Sequence, residues 1–139
     1  MGSIPPLLRT LCSYNTWMGH PTELLKAREI LRVIKEHSLV DKTAAVGDKL
    51  YSALHALSQP GSPGHNKIQN LRGQGQGTFI AWDAPSAAAR DALVGKMRND
   101  WGINMGGCGE RAVRLRPMLI FEESHAEVLL YALERALKD

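Results

Sequence analysis

Little in these 139 residues is suited to covalent cross-linking or to anchoring in lipid. There are two cysteines, Cys12 and Cys108, with neither a CxxC pair nor metal-ligand spacing. No disulfide framework and no metal site is expected from them, and reduced thiols in an intracellular protein are the simpler reading. That leaves mitochondrial matrix and cytosol equally open. No apolar run approaches the roughly eighteen residues that a membrane span needs, so no membrane partner is expected. Acids are missing from the start of the chain, where none precedes Glu23. The opening MGSIPPLLRTLCSY carries a single arginine, Arg9, which interrupts the only apolar stretch that could serve as the core of a secretion signal. A targeting peptide needs more positive charge and clearer amphipathicity. Residues 1–13 are therefore read as an extended arm of unassigned role.

What is present is ordinary for a globular chain: 44% apolar residues, 22% charged residues and a net charge of +3. The length allows one domain with a modest core and falls short of two. So small a positive balance permits an anionic partner without selecting one.

From Pro21 the apolar residues recur at helical spacing, with Leu24, Ala27, Leu31 and Ile34 on one face and charged residues on the other. Pro21 suits a first helical turn and makes His20 the N-cap. A second helix is predicted from about Lys42 to Leu57, with Val46, Leu50, Leu54 and Leu57 aligned and Gly47 as a weak point. QPGSPGHN, residues 59–66, is a loop by composition. KIQNLRG and GTFIAWD then read as strands joined by a glycine-rich turn. Pro85 and Ser86 open a third helix through Met97, with Ala89, Leu93 and Met97 on its apolar face. Ile103–Met105 and Ala112–Leu115 are predicted as short strands around a GGCG turn. Ser124 and Glu127 have capping-box spacing at the start of a last helix, whose apolar face is Ala126, Leu129, Leu130, Leu133 and Leu137. The fold class is α+β, with helices packed on a small, mainly antiparallel sheet.

Most candidate motifs dissolve on inspection. GQGQG, residues 73–77, lacks the third glycine of a dinucleotide fingerprint and precedes a strand rather than a helix, so a hairpin accounts for it. Phe79 and Trp82 are three apart and face opposite sides of a regular strand, unlike the aligned rings of an RNA-binding sheet. No nucleic-acid partner is expected. The five histidines include no HExxH pair, and His125 sits among Glu122, Glu123 and Glu127 in a solvated acidic helix start. GxSxG and paired Cys/His arrangements are absent.

One stretch resists this treatment. GGCGERAVRLRPMLIF, residues 106–121, sets Arg114 and Arg116 on one face of a strand and Val113 and Leu115 on the other. Pro117 then suits an edge or the end of pairing. Either the arginines solvate an edge strand and discourage aggregation, or one of them holds a carboxylate through two parallel hydrogen bonds.

Taken in order, SYNTWMGHP (13–21), NLRGQGQGTFIAWD (70–83) and GGCGERAVRLRPMLIF (106–121) resemble the C-terminal part of the eukaryotic 4-aminobutyrate aminotransferases, a branch of the class III pyridoxal-phosphate enzymes. The resemblance covers roughly residues 14–139. It implies the small domain of a fold-type I aminotransferase, without the large cofactor-binding domain. The implied activity moves the amino group of 4-aminobutyrate to 2-oxoglutarate with pyridoxal 5'-phosphate as cofactor. Amino and keto acids are the implied substrates, and the active form is a homodimer. Thr16, in NTW, matches the threonine that donates to the cofactor phosphate across the dimer. Arg114 matches the arginine that rests against a glutamate of the large domain and accepts the α-carboxylate of glutamate or 2-oxoglutarate. Arg111 and Arg116 are left as structural, and Cys108 as a small residue of the turn. His20 departs from the family, which has Asp there. The family's Schiff-base lysine lies upstream of NTW, and no lysine here matches it, so no catalytic residue is expected and the isolated chain is expected to be inactive. The competing expectation is a non-catalytic interaction module that docks on a full-length aminotransferase.

Overall fold

The computed structural model describes residues 20–138, and the chain divides into two compact units, 1–37 and 38–139. Thr16, Cys12 and the arm 1–13 lie outside the described residues. In the first unit, α1 spans Pro21–Glu36. Its start is as predicted: Pro21 occupies the first turn, and the His20 ring accepts a hydrogen bond from the Thr22 N–H. Exposed ion pairs run along its polar side, Glu23 with Lys26 and Arg32 with both Glu29 and Glu36. None of its residues is buried.

The second unit holds the other elements: α2 (Leu39–Ser58), β1 (Gln69–Arg72), β2 (Ile80–Asp83), α3 (Ala87–Trp101), β3 (Gly106–Cys108), β4 (Ala112–Leu115) and α4 (Glu123–Lys138). The four strands form one wholly antiparallel sheet in the order β1-β2-β4-β3. α4 packs against both α2 and α3, α2 touches β1, and α3 touches β3 and β4. Period-two alternation decides which sheet face they cover. Ile80 and Trp82 of β2, with Val113 and Leu115 of β4, point into a core shared with Leu50 and Leu54 of α2, Met97 of α3 and Leu133 of α4. Ala81, Asp83 and Arg114 are left on the opposite face.

Glycine shapes the β1–β2 connection. Gly73, Gly75 and Gly77 all have positive φ, and strand pairing resumes only at Ile80, three residues later than the GTFIAWD run implies. Trp82 is fully buried and Phe79 exposed, as their spacing requires. Gly47, read as a weak point of α2, has a packing role instead. A Cβ there would come within 2.2 Å of the Gly77 backbone, so the helix and the turn meet through two bare Cα positions.

Several boundaries differ from those predicted. α2 begins at Leu39 rather than Lys42, entered through Ser38 in the left-handed region. α3 runs on to Trp101 and stops at left-handed Gly102, whose N–H returns to the Arg98 carbonyl. Ile103–Met105 is not a strand: Met105 is buried as a core side chain, and the pairing strand is the GGC that follows. Glycine's low β propensity hides that strand, whereas backbone register sets it, pairing Gly106 with Arg114 and Cys108 with Ala112. Cys108 thus closes a strand instead of sitting in the turn, and its thiol is exposed. The capping box at Ser124 does not form either, because α4 starts at Glu123, two residues earlier than a cap at Ser124 requires, and His125 supplies the bond to the Glu122 N–H.

Candidate functional site

β4 is the second correction that matters, because it is no edge strand. It pairs with β2 on one side and β3 on the other, so its arginines cannot be explained as guards of an open edge. Arg114 stands at the middle of the sheet, half-buried. Its cross-strand neighbours are Ala81 on β2 and Gly106 on β3. Both are small, and the Arg114 side chain lies over Gly106: a Cβ there would sit 3.5 Å from its Nε and 3.8 Å from its Cγ. Sequence therefore clears space on both flanks of one guanidinium.

Asp83, on the same sheet face, is already committed. Asp83 accepts from the Asn70 amide at 3.1 Å and from the Arg72 guanidinium at 2.9 Å. The Asn70 hydrogen bond first, then Arg72 and the charge of Arg111, hold the Asp83 carboxyl below its ordinary range against the opposing effect of burial. Asn70 reaches this position through a positive φ of 47°, which shifts the β1 register. Arg111 donates to the Pro85 carbonyl at 3.3 Å. Among the described residues Arg114 makes no ion pair and no hydrogen bond through its side chain.

Beside Arg114 opens a cavity of about 530 Å³ where the ends of β3 and β4 meet α2 and the start of α4. Arg114 and Arg116 both line it, and its walls are largely apolar, including Leu50, Met105, Phe121 and Leu129. His125 completes one side. Its Nδ1 accepts from the Glu122 N–H at 3.0 Å, and its ring leans on Phe121 at 5.6 Å between centroids. His125 and Arg116 escaped sequence reasoning as members of this site. The usable signals were the three-residue spacing of Glu122 and His125, which matches the far half of a capping box, and the two-residue spacing of the arginines.

Comparison with known proteins gives this geometry its context. The family model for aminotransferase class-III matches residues 6–137. The chain belongs to the class-III aminotransferase family. It is 50% identical over 125 residues to a 4-aminobutyrate aminotransferase of Mycosarcoma maydis, covering 90% of this chain and 24% of that relative. The mitochondrial 4-aminobutyrate aminotransferase of Mus musculus is 36% identical over 126 residues, covering 91% of this chain and 24% of its own length. Among solved structures, a lysine aminotransferase from M. tuberculosis superposes with a TM-score of 0.77 at 26% identity, over 88% of this chain and 27% of that one. A thermostable omega transaminase from Pseudomonas jessenii does so with a TM-score of 0.77 at 26% identity, over 96% and 30%. The α+β fold is thus that of a portion of the fold-type I aminotransferases. The chain spans about a quarter of the length of the curated relatives it matches.

Class-III aminotransferases depend on pyridoxal phosphate, which supplies the electron sink for amino transfer. The described residues do not assemble a site for it. No lysine lines the Arg114 cavity. Lys49 pairs with Glu123, Lys67 donates to the Leu137 carbonyl, and Lys26 and Lys138 pair with acids on their own helices. What the site offers is a cation for an anion, with no amine nucleophile beside it. Among the described residues no cluster of His, Cys, Asp and Glu could hold a metal ion, and no helix is long and apolar enough to cross a membrane.

Proposed function

We propose that residues 14–139 form the small-domain segment of a 4-aminobutyrate:2-oxoglutarate aminotransferase, in which Arg114 receives the α-carboxylate of glutamate or 2-oxoglutarate. One observation carries this reading: a half-buried guanidinium in a central strand, given room by Ala81 and Gly106 and without an acid partner among the described residues. A planar fork of that kind suits two parallel bonds to a carboxylate. Thr16 is assigned to the cofactor phosphate of the neighbouring subunit in a homodimer. With no lysine beside Arg114, the segment alone is expected to be inactive.

A chimera in which residues 14–139 replace the matched segment of the Mycosarcoma maydis relative tests the assignment. Arg114→Gln is expected to lower kcat/KM for 2-oxoglutarate by about a hundredfold, the loss of a bidentate charged pair worth about 2–3 kcal/mol. The half-reaction with 4-aminobutyrate should change by less than about threefold. Equal losses in both half-reactions, or none in either, would falsify the role of Arg114. Turnover of 4-aminobutyrate by the unmodified chain, above that of free pyridoxal phosphate, would overturn its inactivity.

A second reading has its own support. In the first unit Leu24, Leu25, Ile30 and Leu31 of α1 are exposed apolar residues, and in the second unit so are Met118, Leu119 and Ile120; either set has a composition suited to docking. On that reading the chain is a non-catalytic module for a full-length aminotransferase, and co-elution of the two proteins with altered activity is its expected sign.

A further inference from the structure

The cavity beside Arg114 is larger than one carboxylate requires, and its walls are of the wrong kind for a second. At about 530 Å³ it falls within the range of small-molecule sites, roughly 300–1,000 Å³. Its charge is one-sided. Arg114 and Arg116 both line it, and among the described residues no Asp or Glu does. Asp83 is held by Asn70 and Arg72, and Glu123 by Lys49. Arg114 lies in β4 and Arg116 just past its end at Leu115, and both line the same cavity. With no counter-charge in the lining, they favour an anion, and their planar forks fit a carboxylate.

The floor makes a further selection. Leu50 is wholly buried, Leu129 and Met105 nearly so, and the Phe121 ring, backed by His125, forms the side. A second ionised group pushed against these side chains would lose its water and find little in exchange. An apolar body would gain instead, each methylene removed from water raising affinity by about three- to fourfold. We propose that this cavity is a binding site for a carboxylate with an apolar body, its head on Arg114 and Arg116 and its body against Leu50, Met105, Phe121 and Leu129. The proposal rests on the reading of Arg114 as a carboxylate holder and adds to it. A dicarboxylate held by Arg114 and an apolar-bodied acid in the cavity would compete for the same guanidinium.

The test is a titration of the full chain, labelled with nitrogen-15 and followed by amide shifts at Gly106, Phe121 and Leu129. The probes are butyrate, hexanoate and octanoate, with octylamine, octanol and glutarate as controls. Octanoate is expected to saturate, to bind at least tenfold tighter than butyrate, and to outcompete octylamine and octanol. Arg114→Gln should weaken octanoate tenfold or more, and the exposed Arg116→Gln by a smaller factor, each with an otherwise unchanged amide spectrum. The chain-length series decides the matter even if one variant fails to fold. Equal binding of octanol or octylamine, indifference to both arginine substitutions, or a flat chain-length series overturns the proposal. So does a shift that tracks protein concentration together with faster sedimentation, because the occupant is then a second copy of the chain. Glutarate separates the two readings. Glutarate binding that needs Arg114, with no gain along the fatty-acid series, leaves the dicarboxylate role standing and removes this one. A steep series with no glutarate binding does the reverse.

Discussion

α1 and α4 are both sixteen residues long, both amphipathic and both charged along one side, yet six residues of α4 are buried and none of α1. Ala126, Leu129, Ala132, Leu133, Ala136 and Leu137 meet the core of the second unit, while Leu24, Leu25, Ile30 and Leu31 remain exposed. Periodicity states which face of a helix is apolar. It does not state what, if anything, covers that face. Most helical stability in proteins comes from tertiary packing rather than propensity, so the two helices are expected to answer very differently to the same substitution.

The largest contrast is Leu133→Ala against Leu24→Ala. Leu133 is fully buried, and its loss should cost about 2–5 kcal/mol in urea unfolding. Leu24 is 65% exposed, and its loss should stay within about 0.5 kcal/mol. A comparable loss at Leu24 would break the comparison by showing that α1 is covered in solution.

Glycines draw the same distinction inside the second unit. Alanine is favoured over glycine by about 1 kcal/mol in a helix interior. Gly95 of α3 has nothing within 4 Å of its would-be Cβ, so Gly95→Ala should raise the melting temperature. At Gly47 the Cβ would strike the Gly77 backbone, so Gly47→Ala should lower stability by about 1–3 kcal/mol despite the better propensity.

The smallest effect expected is that of His20→Asp, which exchanges a ring cap for a carboxylate at the start of α1. The gain should be below about 1 kcal/mol and visible chiefly as slower amide exchange within Pro21–Glu36. In a helix with no buried side chain the cap carries a larger share of the stability than it does in α4. Unchanged exchange would show that something other than the cap limits α1.

The elements legible in sequence were those whose burial follows one strong period. The apolar faces of α2, α3 and α4 supply much of the core, though Leu57 and Leu130 are only partly buried, Ala89 lies outside it, and Ala132 and Ala136 join it unpredicted. β3 was not legible, since Gly106 and Gly107 carry no side chain and pair by backbone register alone. The central position of β4 was hidden too, as strand order depends on contacts between distant parts of the chain. At the candidate site, the charges of Arg114 and Arg116 both interrupt an apolar alternation, and only the family resemblance singled out Arg114. Arg116 and His125 were not singled out, because an exposed arginine and a histidine among acids look solvated until a cavity is seen between them.

The strand order also carries a consequence for how the chain acquires its structure. β1 and β2 are joined by a short glycine turn and can pair locally, on the scale of ~1–10 μs for a hairpin. The other edge of β2 belongs to β4, which follows α3 and β3 in the chain. Closing that longer loop is expected to be slower than forming the hairpin. Until it closes, β2 presents unpaired backbone groups beside Ile80 and Trp82, a ready template for another chain. Conditions that delay the docking of β4, rather than those that loosen the hairpin, are therefore expected to favour aggregation.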